Sequence, residues 1–191
     1  ALRAAEEEEH NRAEAEARAR YSALISQGTA DFNVRDYDRA IANYNEAVRL
    51  DPKSANAFRG RGKAYRDKGD HSRAIADFNE AIRLDPKSAL AFMDRGDSYT
   101  NKGDNDRAIA DYNEAIRLDP KSAPAFRDRA IAYAYKRDND RAIADYSEAI
   151  RLDPNDALAF CNRGKAKRNI NDTIGKADMA KARQLGSSVC Q

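Results

Sequence analysis

Apolar residues recur along most of this chain at the spacing of one helix face, with polar residues filling the positions between them. Ala74, Ile75, Phe78, Ala81 and Ile82 form one such stripe, and Asp85-Pro86 ends it, because proline disfavours helical geometry in the residue before it. Upstream, Phe58, Gly62 and Tyr65 mark a second helical face. Ser54 stands where it can cap that helix, Gly69 offers a left-handed stop, and Asp70 can cap the helix that follows. The stretch predicts two antiparallel helices joined by a tight turn.

The same hairpin returns along the chain. Phe58, Phe92, Phe126 and Phe160 stand 34 residues apart, as do Pro52, Pro86, Pro120 and Pro154. The segments AIADFNEAIRLDPKSA, AIADYNEAIRLDPKSA and AIADYSEAIRLDPNDA, starting at Ala74, Ala108 and Ala142, are close to identical. Four complete repeats are predicted, at 21–54, 55–88, 89–122 and 123–156. A fifth begins normally with Phe160 and Gly164, but Lys167 replaces tyrosine and the turn NDTIG is one residue short. Its second helix still reads through Ala177, Asp178, Met179, Ala182 and Leu185, so residues 157–186 are expected to cap the last apolar face, ahead of a tail that ends the 157–191 segment. Residues 1–20 are a helix-favouring mixture of Ala, Glu and Arg with no breaker before the first repeat, and are expected to form a charged helical leader continuing into it.

These repeats resemble the tetratricopeptide family, whose pattern runs aromatic, small residue, Tyr, then Ala, aromatic and Pro. The second repeat supplies Phe58, Gly62, Tyr65, Ala74, Phe78 and Pro86; the third supplies Phe92, Gly96, Tyr99, Ala108, Tyr112 and Pro120. The resemblance covers residues 21 to 186 and implies an all-α fold, a right-handed superhelical solenoid of antiparallel helix hairpins. Departures are local: Leu24 and Asp31 replace the aromatic and the tyrosine in the first repeat, and Ala130 replaces glycine in the fourth, whose turn carries Arg137.

Composition narrows the function. Charged residues make up 35% of the chain and mean hydropathy is -0.89, which suits thin helices sharing a narrow core. The 34 basic and 32 acidic residues nearly cancel, so no global field draws the chain onto nucleic acid. No stretch approaches the roughly 20 apolar residues of a membrane-spanning helix, so membrane insertion is not expected and the chain reads as soluble. It starts at Ala1 rather than Met, as a processed, excised or trimmed chain would. The near identity of the repeats is bacterial in style, pointing to the bacterial cytoplasm or the cell envelope (periplasm).

No nucleophile, base or metal constellation stands outside the repeat pattern, so neither enzyme activity nor a cofactor or metal is expected. His10 lies in the charged leader and His71 beside a turn, both solvated or capping positions. Asp77, Asp111 and Asp145 recur with the fold, whereas a catalytic pair would occur once.

What the resemblance implies is a scaffold that binds a peptide or partner protein in a concave groove, with self-assembly into a homo-oligomer through the end repeats or the leader as the alternative. By family analogy the groove is lined first by Ile25, Thr29 and Phe32, then by Arg59, Lys63 and Arg66, then by Met93, Asp94 and Asp97. Arg127, Ile131 and Tyr135 follow, and the fifth repeat adds Lys165 and Arg168. The family's chaperone-tail clamp would fall on Arg59, Lys63, Asp94, Pro124 and Asp128, where its asparagines and last cations are missing. An acidic group near Arg59 and Lys63 with apolar anchors near Ile131 and Tyr135 describes the expected ligand.

Two further expectations concern packing. The family's usual leucine before the glycine is Arg61, Arg95, Arg129 and Arg163 here, and each has an aspartate on the partner helix: Asp77, Asp111, Asp145 and Asp178. The first repeat has Gln27 and Asn43 instead. Charge is present or absent in both members together, so each pair is expected to bridge its own hairpin. Cys161 and Cys190 are brought toward one another by the last hairpin, but with no compartment encoded they are expected to stay free thiols.

Overall fold

The computed structural model describes residues 2–170 and 175–190, and among these every regular element is helical. Two compact units, Ala1–Pro86 and Lys87–Gln191, are distinguished. In the first, α1 (Leu2–Asn33) packs on α2 (Tyr37–Leu50), and α3 (Ala55–Asp67) on α4 (His71–Leu84), with α2 against α3. The second contains the hairpins α5 (Ala89–Asn101) with α6 (Asn105–Leu118), α7 (Ala123–Tyr135) with α8 (Asn139–Leu152), and α9 (Ala157–Ile170) with α10 (Lys176–Gln184). There α6 packs on α7 and α8 on α9. The shortened turn of the fifth repeat lies outside the described residues except for Gly175.

Local chemistry sets the helix ends. The hydroxyls of Ser54, Ser88 and Ser122 accept from the amides of Ala57, Ala91 and Ala125, and the carboxylates of Asp36, Asp70, Asp104 and Asp138 accept from amides three residues on. Gly69 turns the chain at φ +94°, where a Cβ would be strained, yet Arg35 and Arg137 hold the equivalent turns at φ 62° and 61°.

The core is built mainly of alanine. Ala40, Ala47, Ala74, Ala81, Ala108, Ala115, Ala142 and Ala149 are fully buried, and the second helix of each of the first four repeats adds one large ring: Tyr44, Phe78, Tyr112 or Tyr146. Those rings lie against the small position of the preceding helix, as Phe78 does against Gly62 and Tyr112 against Gly96. The first-helix aromatics of the second repeat behave differently. Phe58 and Tyr65 are half-buried, and guanidinium groups cover their faces, Arg61 at 5.3 Å from the Phe58 centroid and Arg73 at 4.5 Å from that of Tyr65.

The expected arginine–aspartate bridges are present in every repeat that carries the pair. Arg61 donates Nε and Nη2 to the two oxygens of Asp77 at 2.8 and 2.7 Å, and Arg95–Asp111, Arg129–Asp145 and Arg163–Asp178 repeat this fork. The bridge also reaches outside its own hairpin. Arg61 Nη1 donates to Asn45 of the preceding repeat, Arg129 to Asn113 and Arg163 to Ser147, so one side chain ties three helices. In the first repeat Gln27 and Asn43 both donate to Asp31, at 3.0 and 2.8 Å, which is the residue standing where others have tyrosine. The fifth repeat uses the same position in the opposite sense, with Lys167 joining Arg163 on Asp178 at 2.8 Å.

Helix α1 runs through residues 2–33 without interruption, and residues 7–20 are all exposed. Its Arg20 reaches Glu46 of α2 at 2.7 Å. At the other end the free-thiol expectation is corrected: Cys161 and Cys190 form a disulfide with their Cα atoms 5.7 Å apart. The chain turns at Gly186, Ser187 donates to the Ala182 carbonyl, and Arg183 Nη1 donates to the Cys190 carbonyl, which folds the tail back over α9. Cys161, Cys190 and Ala182 are buried together beside Phe160 and Met179.

Candidate functional site

In each unit a pocket opens between the first helices of successive repeats. In the first unit Ile25, Thr29, Phe32 and Asn33 of α1 face Asn56, Arg59, Gly60 and Lys63 of α3 around a volume of about 240 Å³, with Tyr44 of α2 at the base. Thr29 donates to the Ile25 carbonyl at 2.8 Å, so at 3.1 Å the Tyr44 hydroxyl is the donor to Thr29. Gly60 is required by that ring, since a Cβ there would come within 2.6 Å of it. The Lys63 ammonium lies 5.0 Å from the Phe32 ring centroid, so this pocket combines positive charge with an aromatic wall.

The second unit has the corresponding pocket, of about 280 Å³, between α7 and α9. Ile131, Ala134 and Tyr135 face Leu158, Asn162, Lys165, Ala166 and Asn169, and Tyr146 of α8 forms the base. Tyr135 is 66% exposed and Leu158 37%, large apolar surfaces left open to solvent. Burial pushes the Tyr146 hydroxyl above the ordinary phenol range, keeping it a neutral hydrogen-bonding group.

The structure thus gathers Ile25, Thr29, Phe32, Arg59 and Lys63 around one pocket and Ile131, Tyr135 and Lys165 around another. Other residues read from the sequence as groove-lining are engaged elsewhere. Arg66 pairs with Asp67 at 2.8 Å, and Arg127 with both Asp128 and Asp156 at 3.0 and 3.1 Å. Asp94 is buried, Asp97 accepts from the Tyr112 hydroxyl at 2.9 Å, Met93 meets Ser122, and Arg168 points its Nη1 at the Met179 sulfur. Sequence reasoning missed Tyr44, Gly60, Leu158, Asn162 and Asn169. A signal for two of these existed: Leu158 and Asn162 lie three repeat periods beyond Asn56 and Gly60, which line the first pocket.

Among the described residues no three or more His, Cys, Asp or Glu side chains converge as metal ligands, and no helix is long and apolar enough to cross a membrane. A search of curated proteins gave no match. Among solved structures, MamA is 26% identical, covers 83% of this chain and 93% of its own, and superposes with a TM-score of 0.73. YrrB, described as a TPR protein with an unusual peptide-binding site, is 22% identical over 87% of each chain at a TM-score of 0.70. The pilF protein of Pseudomonas aeruginosa is 15% identical, at a TM-score of 0.82 over 90% of this chain and 79% of its own. The model of the tetratricopeptide repeat matches residues 25–89, 60–123, 93–157 and 127–166, in register with the helix hairpins, and the chain belongs to that family.

Proposed function

We propose that the chain holds a segment of a partner protein by seating individual side chains in the pockets between its first helices. Tetratricopeptide repeats are scaffolds for protein–protein interaction and typically lack catalytic activity. The observation that carries the finer reading is the pair of pockets at the same repeat positions with complementary chemistry. Arg59 and Lys63 suit an acidic group in the first, while Ile131, Tyr135 and Leu158 suit an apolar side chain in the second. Volumes of about 240 and 280 Å³ match single side chains better than a drug-sized ligand. Asp94 and Asp128 occupy positions where a chaperone-tail clamp needs donors, so such tails are not the partner.

The test is a pull-down from the native source followed by peptide mapping, repeated with Arg59→Gln plus Lys63→Gln and with Tyr135→Ala. A partner retained undiminished by all three proteins would end this reading, as would submillimolar binding of a chaperone C-terminal peptide end its second clause. Self-assembly is the competing function, favoured by the exposed residues 7–20 of α1, and concentration-dependent light scattering separates the two. The disulfide favours the periplasmic side of a bacterial envelope over the cytoplasm.

A further inference from the structure

The turn after the first helix of repeats one to four places residues 35, 69, 103 and 137 at positive φ. Glycine fills two of these places, and in the other two an arginine holds left-handed backbone that glycine adopts more readily. Arg137 lines a cavity of about 530 Å³ together with Ala134, Tyr135, Asn139 and Asn169. That cavity adjoins the second pocket, with which it shares Ala134, Tyr135 and Asn169. Lys165 lines the pocket side and is exposed.

The charges of this region divide into two groups. Lys136 is paired with Asp106 and Lys167 with Asp178, so both are committed to the frame. Arg137 and Lys165 meet no carboxylate among the described residues, and both border open volume beside the exposed Tyr135 ring. Two cations, a ring and the Asn169 carboxamide provide forked donors, a point charge and a flat apolar wall.

We propose that Arg137, Lys165 and Tyr135 form an acid-selective subsite that receives an aspartate or glutamate side chain of a peptide, next to an apolar residue seated against Ile131 and Leu158. The subsite rests on the scaffold reading above and gives its second pocket a defined preference. Arg137 stands at a position better suited to glycine, and in the subsite its guanidinium faces the ligand. Arg35 holds the same backbone geometry but lies outside the first pocket, which makes it the internal control.

The experiment is selection from a displayed library of random dodecapeptides on the full chain, with Arg59→Gln and Lys63→Gln throughout to silence the first pocket. Enriched peptides should carry Asp or Glu beside a large apolar residue. Their affinity should fall about tenfold in Arg137→Gly or Lys165→Gln and stay unchanged in Arg35→Gly. Arg137→Gly relieves backbone strain, so a loss of binding there cannot come from unfolding; thermal melts of the two glycine variants verify this. Enrichment without an acidic preference, or acidic peptides bound equally by Arg137→Gly, overturns the subsite and leaves the scaffold reading standing. Failure to enrich any peptide removes peptide binding at this pocket and the subsite with it.

Discussion

The pocket between α1 and α3 and the pocket between α7 and α9 are built at the same repeat positions, with a tyrosine at the base and a lysine on the second wall of each. Around that shared frame the chemistry differs. Where the first pocket has Asn56, Gly60, Thr29 and Asn33, the second has Leu158, Asn162, Ile131 and Tyr135. The frame positions are occupied by alanine, the base ring and the arginine–aspartate fork, each fixed by contacts inside the repeat or with the repeat next to it. Groove-facing positions differ even where they meet the base ring, as Gly60 does at Tyr44 and Asn162 at Tyr146, so the repeat sets where a pocket forms and its exceptions set what the pocket takes.

The largest way to separate the two units is to remove the disulfide, which belongs to the second alone. Closing a loop across 29 residues restricts the unfolded chain by about 3–4 kcal/mol in the loop-entropy account, so Cys161→Ser with Cys190→Ser should destabilise the second unit by that order. Hydrogen exchange read by mass spectrometry should show lost protection in α9 and α10 and none in α3 and α4; equal loss in both would contradict this localisation.

Next in size is the fork. Asp145→Ala leaves the half-buried Arg129 guanidinium without its carboxylate and is expected to cost roughly 2–3 kcal/mol in urea denaturation. In the first repeat the same position is Asn43, a neutral donor to Asp31, and Asn43→Ala should cost only about 1 kcal/mol. A smaller penalty for Asp145→Ala than for Asn43→Ala would mean that the charged version adds nothing.

A direct exchange between the pockets is Gly60→Asn, which writes the residue of the second pocket into the first. Its Cβ would meet the Tyr44 ring at 2.6 Å, so the ring must move, at about 1–2 kcal/mol and with partial closure of the pocket. Unchanged stability together with an unshifted Tyr44 resonance would show that the close approach is not felt.

The smallest effect distinguishes two of the four forks by titration. Burial pushes the Asp77 carboxyl above the usual carboxylate range despite Arg61. Burial acts the same way on Asp178, but hydrogen bonds from Arg163 and Lys167 outweigh it and hold that carboxyl below the range. Asp178 therefore contributes stability that is present above its unfolded pKa and lost as pH falls through its folded one. Asp77 has the opposite sign: its contribution is present below the unfolded pKa and lost as pH rises through the folded one. Carboxyl-carbon NMR titration should find Asp77 titrating above Asp178, and the reverse order would break the comparison.

The sequence by itself determined the hairpins and the fork. Helix ends follow from Ser54, Asp70 and Pro86, and the pairing of Arg61 with Asp77 follows from a charge that appears or disappears in both members together. Such features are local or repeat with the period, so one repeat explains the others. Only the tertiary structure decided that Arg61 also holds Asn45, that Asp31 takes over the first repeat's network, and that Arg127 is spent on Asp128 and Asp156 while Lys165 is left to line a pocket. It also decided that Cys190 reaches Cys161. Some of these contacts recur from repeat to repeat, as Arg61 with Asn45 and Arg129 with Asn113, and others occur once, but all depend on how far each side chain reaches once the helices are packed. A pattern along the chain tells which face a residue occupies, but the neighbour it meets there is set by the packed distance.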